Sequence, residues 1–114
     1  MLFRSRIYGA TKEETEAAVQ AVTTTLQHPL IERARTSSRL HREYPFALQV
    51  EGSRWVEGVI DLAFVEDGGW VVIDFKTDAD IEAQRASYVR QLQWYAHALS
   101  KLSSLPARGI LLGV

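Results

Sequence analysis

A chain of 114 residues, 46% hydrophobic and 24% charged, suits one globular domain with a modest core and excludes a disordered or fibrous class. It has no cysteine, which excludes a disulfide framework and a zinc–thiolate site and is compatible with a reducing cytoplasm. The net charge of −1 argues against nucleic-acid binding driven by bulk charge, and no apolar run approaches the roughly 20 residues of a membrane span. No signal-peptide pattern opens the chain.

Met1 to Ala10 reads as a short strand or a leader. Thr11-Lys12-Glu13-Glu14 has the capping-box spacing and predicts a helix to about Leu26, with fraying at Thr23-Thr24-Thr25. Pro29 suits the first turn of a second short helix, near His28 to Ala34. Thr36-Ser37-Ser38 is loop. A strand follows from about Arg42 to Val50, with Pro45 marking an edge or a bulge. Gly52-Ser53 turns it back into Arg54-Trp55-Val56.

Gly58 to Asp78, GVIDLAFVEDGGWVVIDFKTD, then reads as a hairpin. Asp67-Gly68 is the turn, because a type I′ turn needs positive φ at both central residues. Counting outward, Val65 faces Trp70, Ala63 faces Val72, and Asp61 faces Asp74. Lys76 shares their face, since side chains two apart on a strand point the same way. Gly58, Ile60, Leu62 and Phe64, with Val71, Ile73 and Phe75, make the opposite, apolar face. Two unit charges about 5 Å apart repel by about 3 kcal/mol at an effective dielectric of about 20, so an ordinary strand pair would avoid this arrangement. A hard divalent cation turns the repulsion into coordination. A carboxylate pair acting on sugars would need a wider separation.

After Thr77 the period changes to helical. Tyr88, Leu92, Tyr95, Leu99 and Leu102 form one stripe from about Glu82 to Leu102, with Thr77, Asp78 or Asp80 as the cap. Arg108 to Val114 is a last strand. A long crossover helix precedes it, so it pairs parallel with the third strand. Residues 51–82 hold nine acidic side chains against Arg54 and Lys76, and Glu32 to Arg42 carries Arg33, Arg35, Arg39, Arg42 and His41. An acidic centre beside a basic segment fits a metal site with phosphate contacts around it, although on charge alone a solvated surface is the preferred reading.

Four motifs stand in order: Glu43-Tyr44-Pro45-Phe46, Gly58-Val59-Ile60-Asp61, Asp74-Phe75-Lys76-Thr77 and Gln91-Leu92-Gln93-Trp94-Tyr95. With these the chain resembles the C-terminal nuclease domain of RecB- and AddA-type helicase-nucleases, in the PD-(D/E)XK superfamily, over about His28 to Leu102. The resemblance implies an α/β (α+β) restriction-endonuclease-like core: an antiparallel three-stranded meander, a crossover helix and a further parallel strand, with N-terminal helices. It implies one domain over residues 1–114, part of a larger helicase-nuclease. It implies Mg²⁺ (or Mn²⁺) held by Asp61, Asp74 and the backbone carbonyl of Phe75, with Lys76 orienting the attacking water. Gln91 and Tyr95, four apart on one helical face, can both point at the site or the DNA, with helix packing as the alternative reading of each. The partners implied are DNA, the helicase part of a parent protein and a second helicase-nuclease subunit. The activity implied is exonuclease cleavage in recombinational DNA repair. A non-catalytic DNA-binding or scaffolding relic is the alternative, and the full Asp, Asp, Lys set argues against it.

The family's Gly-x-x-x-His element has no counterpart here. His28 reads as a helix-start residue, and His41 and His97 as surface or packing residues. There is also no nucleotide-binding Gly-x-x-x-x-Gly-Lys-Ser/Thr element. The family pattern further implies that Glu43 belongs near the metal. A three-residue loop, Glu51-Gly52-Ser53, pairs Val50 with Arg54 and brings Glu43 opposite Asp61. A two-residue loop would point Glu43 into an apolar face beside Leu62, where a charge is costly. The longer loop, or a bulge near Pro45, is therefore expected.

Overall fold

The computed structural model describes residues 11–14, 16, 17, 19, 20 and 27–114. The expectations for Met1 to Ala10 and for Thr23 to Thr25 lie outside these residues. The first helix is seen in part: residues 12–14, 16, 17, 19 and 20 are helical, and the Glu14 N–H donates to Thr11 Oγ1 at 3.1 Å, half of the capping box. Among the described residues no helix is long and apolar enough to cross a membrane.

Helix α1 runs Pro29–Thr36. His28 caps it, its Nδ1 accepting from the Leu30 N–H at 3.1 Å, and Pro29 takes the first-turn position where no N–H is needed. Four strands follow as one sheet in the order β1 (Leu40–Gln49), β2 (Trp55–Glu66), β3 (Gly69–Lys76) and β4 (Ala107–Gly113), with helix α2 (Asp78–Ser103) crossing between β3 and β4. The first two pairings are antiparallel and the third is parallel, the expected meander and crossover. Pro45 is accommodated because β1 is an edge strand.

Both turns follow local chemistry. Asp67 and Gly68 have φ of 53° and 78°, and Glu66 pairs with Gly69. Between β1 and β2 the loop has three residues: the Val50 N–H donates to the Arg54 carbonyl at 2.8 Å, and Gly52 takes φ of 67°.

The sheet is covered on both sides. Against α2 pack Phe46, Ile60, Ala63, Trp70 and Val72, meeting Leu92, Tyr95, Ala98 and Leu99. Against α1 pack Leu62, Phe64, Val71 and Ile73, meeting Leu30, Ile31 and Ala34. Glu66 ties this second side together at the surface, accepting from Arg33 of α1 and lying 3.3 Å from Arg108 of β4.

This partition corrects the expected faces of β2. Ile60 and Gly58 do not share the side of Leu62 and Phe64; Ile60 belongs to the α2 core. The pairing of β1 with β2 passes from Arg42–Leu62 to Tyr44–Ile60 and skips Glu43 and Asp61, and the pairing of β2 with β3 ends at Leu62–Ile73. Glu43 takes φ of 46°. The strands thus turn over at this one step without changing register. Near the Asp67-Gly68 turn the odd-numbered His41 and Ala63 face α2, and beyond the step the even-numbered Tyr44, Phe46 and Ile60 do so.

Helix α2 also differs in detail. It starts at Asp78, with Thr77 Oγ1 accepting from the Asp80 N–H at 3.1 Å, and breaks its helical geometry at Gln84. Leu102, expected on the buried stripe, is 52% exposed. At 100° per residue Ser103 lies closer in angle to Leu99 than Leu102 does, and Ser103 Oγ takes the inward place, accepting from Trp70 Nε1 at 2.9 Å.

The helix lies close on β4. A Cβ at Gly109 would stand 2.5 Å from Leu92 Cγ. Gly109→Ala should therefore lower stability by about 1–3 kcal/mol in urea denaturation, as for other overpacked core positions.

Candidate functional site

Asp74 is the one charged residue that is buried among the described residues, 3% exposed, on the α2 side of β3. Its position follows from alternation: Val72 packs against α2, so Asp74 and Lys76 face the same way. Across from it, Asp61 lies at the step where the ladders lapse. There its Oδ2 accepts from the Phe75 N–H at 2.9 Å.

The two carboxyls interact directly. Burial pushes the Asp74 carboxyl up to about 6, and the hydrogen bond and charge of Asp61 push the same way, opposed by Lys76. Lys76 Nζ lies 3.4 Å from Asp74 Oδ2, yet that oxygen is buried and accepts no hydrogen bond. The same ammonium stands 4.7 Å from the centre of the Tyr88 ring.

Helix α2 closes the site from above. Tyr95 is buried, and its phenol is pushed up first by burial and then by the charges of Asp74 and Asp61, so it stays protonated beside them. Its ring stands edge-on to Phe46 at 5.4 Å. The absence of a side chain at Gly58 makes room for it, since a Cβ there would come within 2.8 Å of Tyr95 Cε1. Gln91, one turn earlier, has a buried Oε1 with no hydrogen-bond partner.

Of the residues singled out from sequence, Asp61, Asp74, Lys76 and Tyr95 are thus brought together, and Gln91 lies on the same face of α2 one turn from Tyr95. Glu43 holds the register position opposite Asp61 but is exposed. Among the described residues no group of three or more His, Cys, Asp or Glu side chains gathers in a way that could hold a metal ion. The donor set is therefore two carboxylates, one with a buried oxygen that accepts no hydrogen bond and lies 3.4 Å from Lys76 Nζ. That is acceptable to a hard cation which draws its other ligands from carbonyls and water.

Two arginines of the basic segment are already engaged, Arg33 with Glu66 and Arg35 with Glu32, while Arg39 lies over Trp70 at 4.9 Å. His41 stacks near Trp70 and Tyr44, a packing role. Tyr88 was legible only as part of the apolar stripe. Its spacing of three from Gln91 and seven from Tyr95 is the signal that it faces the same site.

A family model described as the PD-(D/E)XK nuclease superfamily matches residues 2–114. An ATP-dependent helicase/nuclease subunit from Heliobacterium modesticaldum is 31% identical over 105 residues, covering 74% of this chain and 8% of that relative. The corresponding protein of Anoxybacillus flavithermus is 33% identical over 100 residues, covering 80% of this chain and 8% of the relative. That of Alkaliphilus oremlandii is 32% identical over 92 residues, covering 66% and 8%. The chain thus spans less than a tenth of the length of these relatives.

The buried carboxyl gives a pH dependence of stability. With the Asp74 carboxyl raised from 3.8 to about 6, the native state holds a proton that the unfolded state has released. The stability this contributes is fully present below about pH 4 and lost as pH rises through about 6. In the presence of a chelator, Asp74→Asn should therefore be more stable than the native protein at pH 7.5, by up to about 3 kcal/mol. The gap should shrink toward pH 4, as read by urea denaturation at several pH values.

Proposed function

This chain belongs to the PD-(D/E)XK nuclease superfamily, and from that premise we propose that it is the metal-dependent DNA nuclease domain of a longer helicase-nuclease, acting as an exonuclease in recombinational repair. The observation that carries the reading is the Asp61–Asp74 pair, in which Asp74 is buried and Asp61 half-buried, with Lys76 Nζ 3.4 Å from an Asp74 oxygen that accepts no hydrogen bond. The similarity to ATP-dependent helicase/nuclease subunits supports a nucleic acid as substrate and a helicase as neighbour.

In this reading Asp61, Asp74 and the Phe75 carbonyl hold Mg²⁺ or Mn²⁺. When bound, the cation offsets the negative charge that develops on the phosphorus oxygens. Water attacks the phosphorus and gives up a proton to solvent as one P–O ester bond breaks, and the departing alkoxide takes a proton from solvent. Lys76 holds the attacking water in line and stabilises the charge it acquires. Tyr95 keeps its proton and serves as a hydrogen-bond donor beside the carboxylates, and Gln91 offers its amide to the nucleic acid. Glu43, opposite Asp61 in register, reaches the site through water.

The test is cleavage of end-labelled DNA with Mg²⁺, with Mn²⁺ and with chelator, in the full-length helicase-nuclease and in this chain. Asp74→Ala and Lys76→Ala should each lower the rate by about a hundredfold or more while the circular dichroism is unchanged. Cleavage at the native rate by either variant overturns the assigned roles. DNA binding without cleavage under any metal favours the non-catalytic DNA-binding alternative instead.

A further inference from the structure

Lys76 has two anchors, and the proposed chemistry removes one of them. Its ammonium is held by Asp74 Oδ2 at 3.4 Å and by the face of Tyr88 at 4.7 Å from the ring centre. The Asp74 oxygen that attracts the ammonium is also the buried one without a hydrogen bond, the atom best suited to ligate a cation. The ion pair and the cation thus compete for one oxygen. A divalent charge there also repels the ammonium. The aromatic face carries no such conflict, because its attraction for an ammonium comes from the ring quadrupole and needs no carboxylate.

We propose that Tyr88 is a positioning residue: its ring holds the Lys76 ammonium over the site when Asp74 is engaged elsewhere. This rests on the nuclease reading above. The placement of Tyr88 supports it. The residue lies on α2 just after the break at Gln84, three residues before Gln91 and seven before Tyr95, so one helix face carries all three. The Lys76 side chain is itself only a quarter exposed, which limits the water that could replace the ring as its partner. The property required is the aromatic face, and the phenol hydroxyl is not used.

The experiment compares Tyr88→Leu with Tyr88→Phe by two readouts. The first is the proton resonance of the Lys76 ε-methylene in the metal-free protein, assigned by its loss in Lys76→Ala. A methylene over a ring is shifted upfield. The shift is expected in the native protein and in Tyr88→Phe, and its loss in Tyr88→Leu. The second is cleavage kinetics with Mg²⁺. Tyr88→Leu should lower kcat by about tenfold with little change in KM for DNA, and Tyr88→Phe should stay within about twofold of native. An unshifted Lys76 resonance in the native protein, or native kcat in Tyr88→Leu, overturns the positioning role. The resonance is read without metal or DNA, so it decides the placement of Lys76 whether or not the chain cleaves. Failure of the native protein to cleave DNA, or native cleavage by Lys76→Ala, overturns the nuclease reading instead.

Discussion

Asp61 has no register partner on either neighbouring strand, and much of the sheet's geometry follows from that gap. A buried peptide group without a partner is costly, so the lapse has to be repaired locally. On the β3 side the Asp61 carboxylate does so, accepting from the Phe75 N–H in place of a ladder carbonyl. On the β1 side Glu43 turns left-handed, a conformation costing a non-glycine residue about 1–2 kcal/mol. Together the two adjustments roll the outer parts of β1 and β2 over by one side chain. Phe46 and Ile60 then extend the α2 core past the point where Leu62 and Phe64 serve the α1 core.

The same step makes the site. An unbroken pleat would leave two carboxylates facing each other as ordinary cross-strand neighbours. Here one of them is tied by a main-chain hydrogen bond, and the other is buried with an oxygen that accepts no hydrogen bond and faces Lys76. Burial is the first cause of the raised Asp74 carboxyl, ahead of Asp61, while Lys76 opposes it from one side. The metal-free fold therefore carries a strained charge arrangement that a cation would relieve, in the way functional sites hold destabilising features which the rest of the fold supports.

Helix α2 must come close for this burial to occur, and two glycines on opposite flanks of its path allow it. Gly58 on β2 yields space to Tyr95, and Gly109 on β4 yields space to Leu92. Tyr95 and Leu92 are three apart, on one face of the helix. Close packing at these two points sets how near Tyr88, Gln91 and Tyr95 stand to Asp74 and Lys76. The Gly-x-x-Asp motif thus joins two needs on one strand, a gap for the helix at Gly58 and a carboxylate at Asp61.

What local chemistry dictates was readable from sequence. Asp67-Gly68 makes a two-residue turn because both positions need positive φ, and the register it sets brings Asp61 level with Asp74. The three-residue loop at Glu51-Gly52-Ser53, implied by the resemblance and not by the loop's own residues, sets the register that brings Glu43 level with Asp61. Thr77 and His28 cap helices through their own side chains, and the length of the crossover makes β4 parallel. Tertiary structure alone decided the rest, because it depends on groups far apart in the chain. Strict alternation puts Ile60 with Leu62, and only the lapse of two ladders at Asp61 separates them. Helical periodicity accepts Leu102 as readily as Ser103, and Trp70 of β3 selects the serine. The basic segment looks available for phosphates until Glu66 claims Arg33. The spacing of Tyr88 places it on a helix face, but only the packing of α2 on β3 puts its ring beside Lys76.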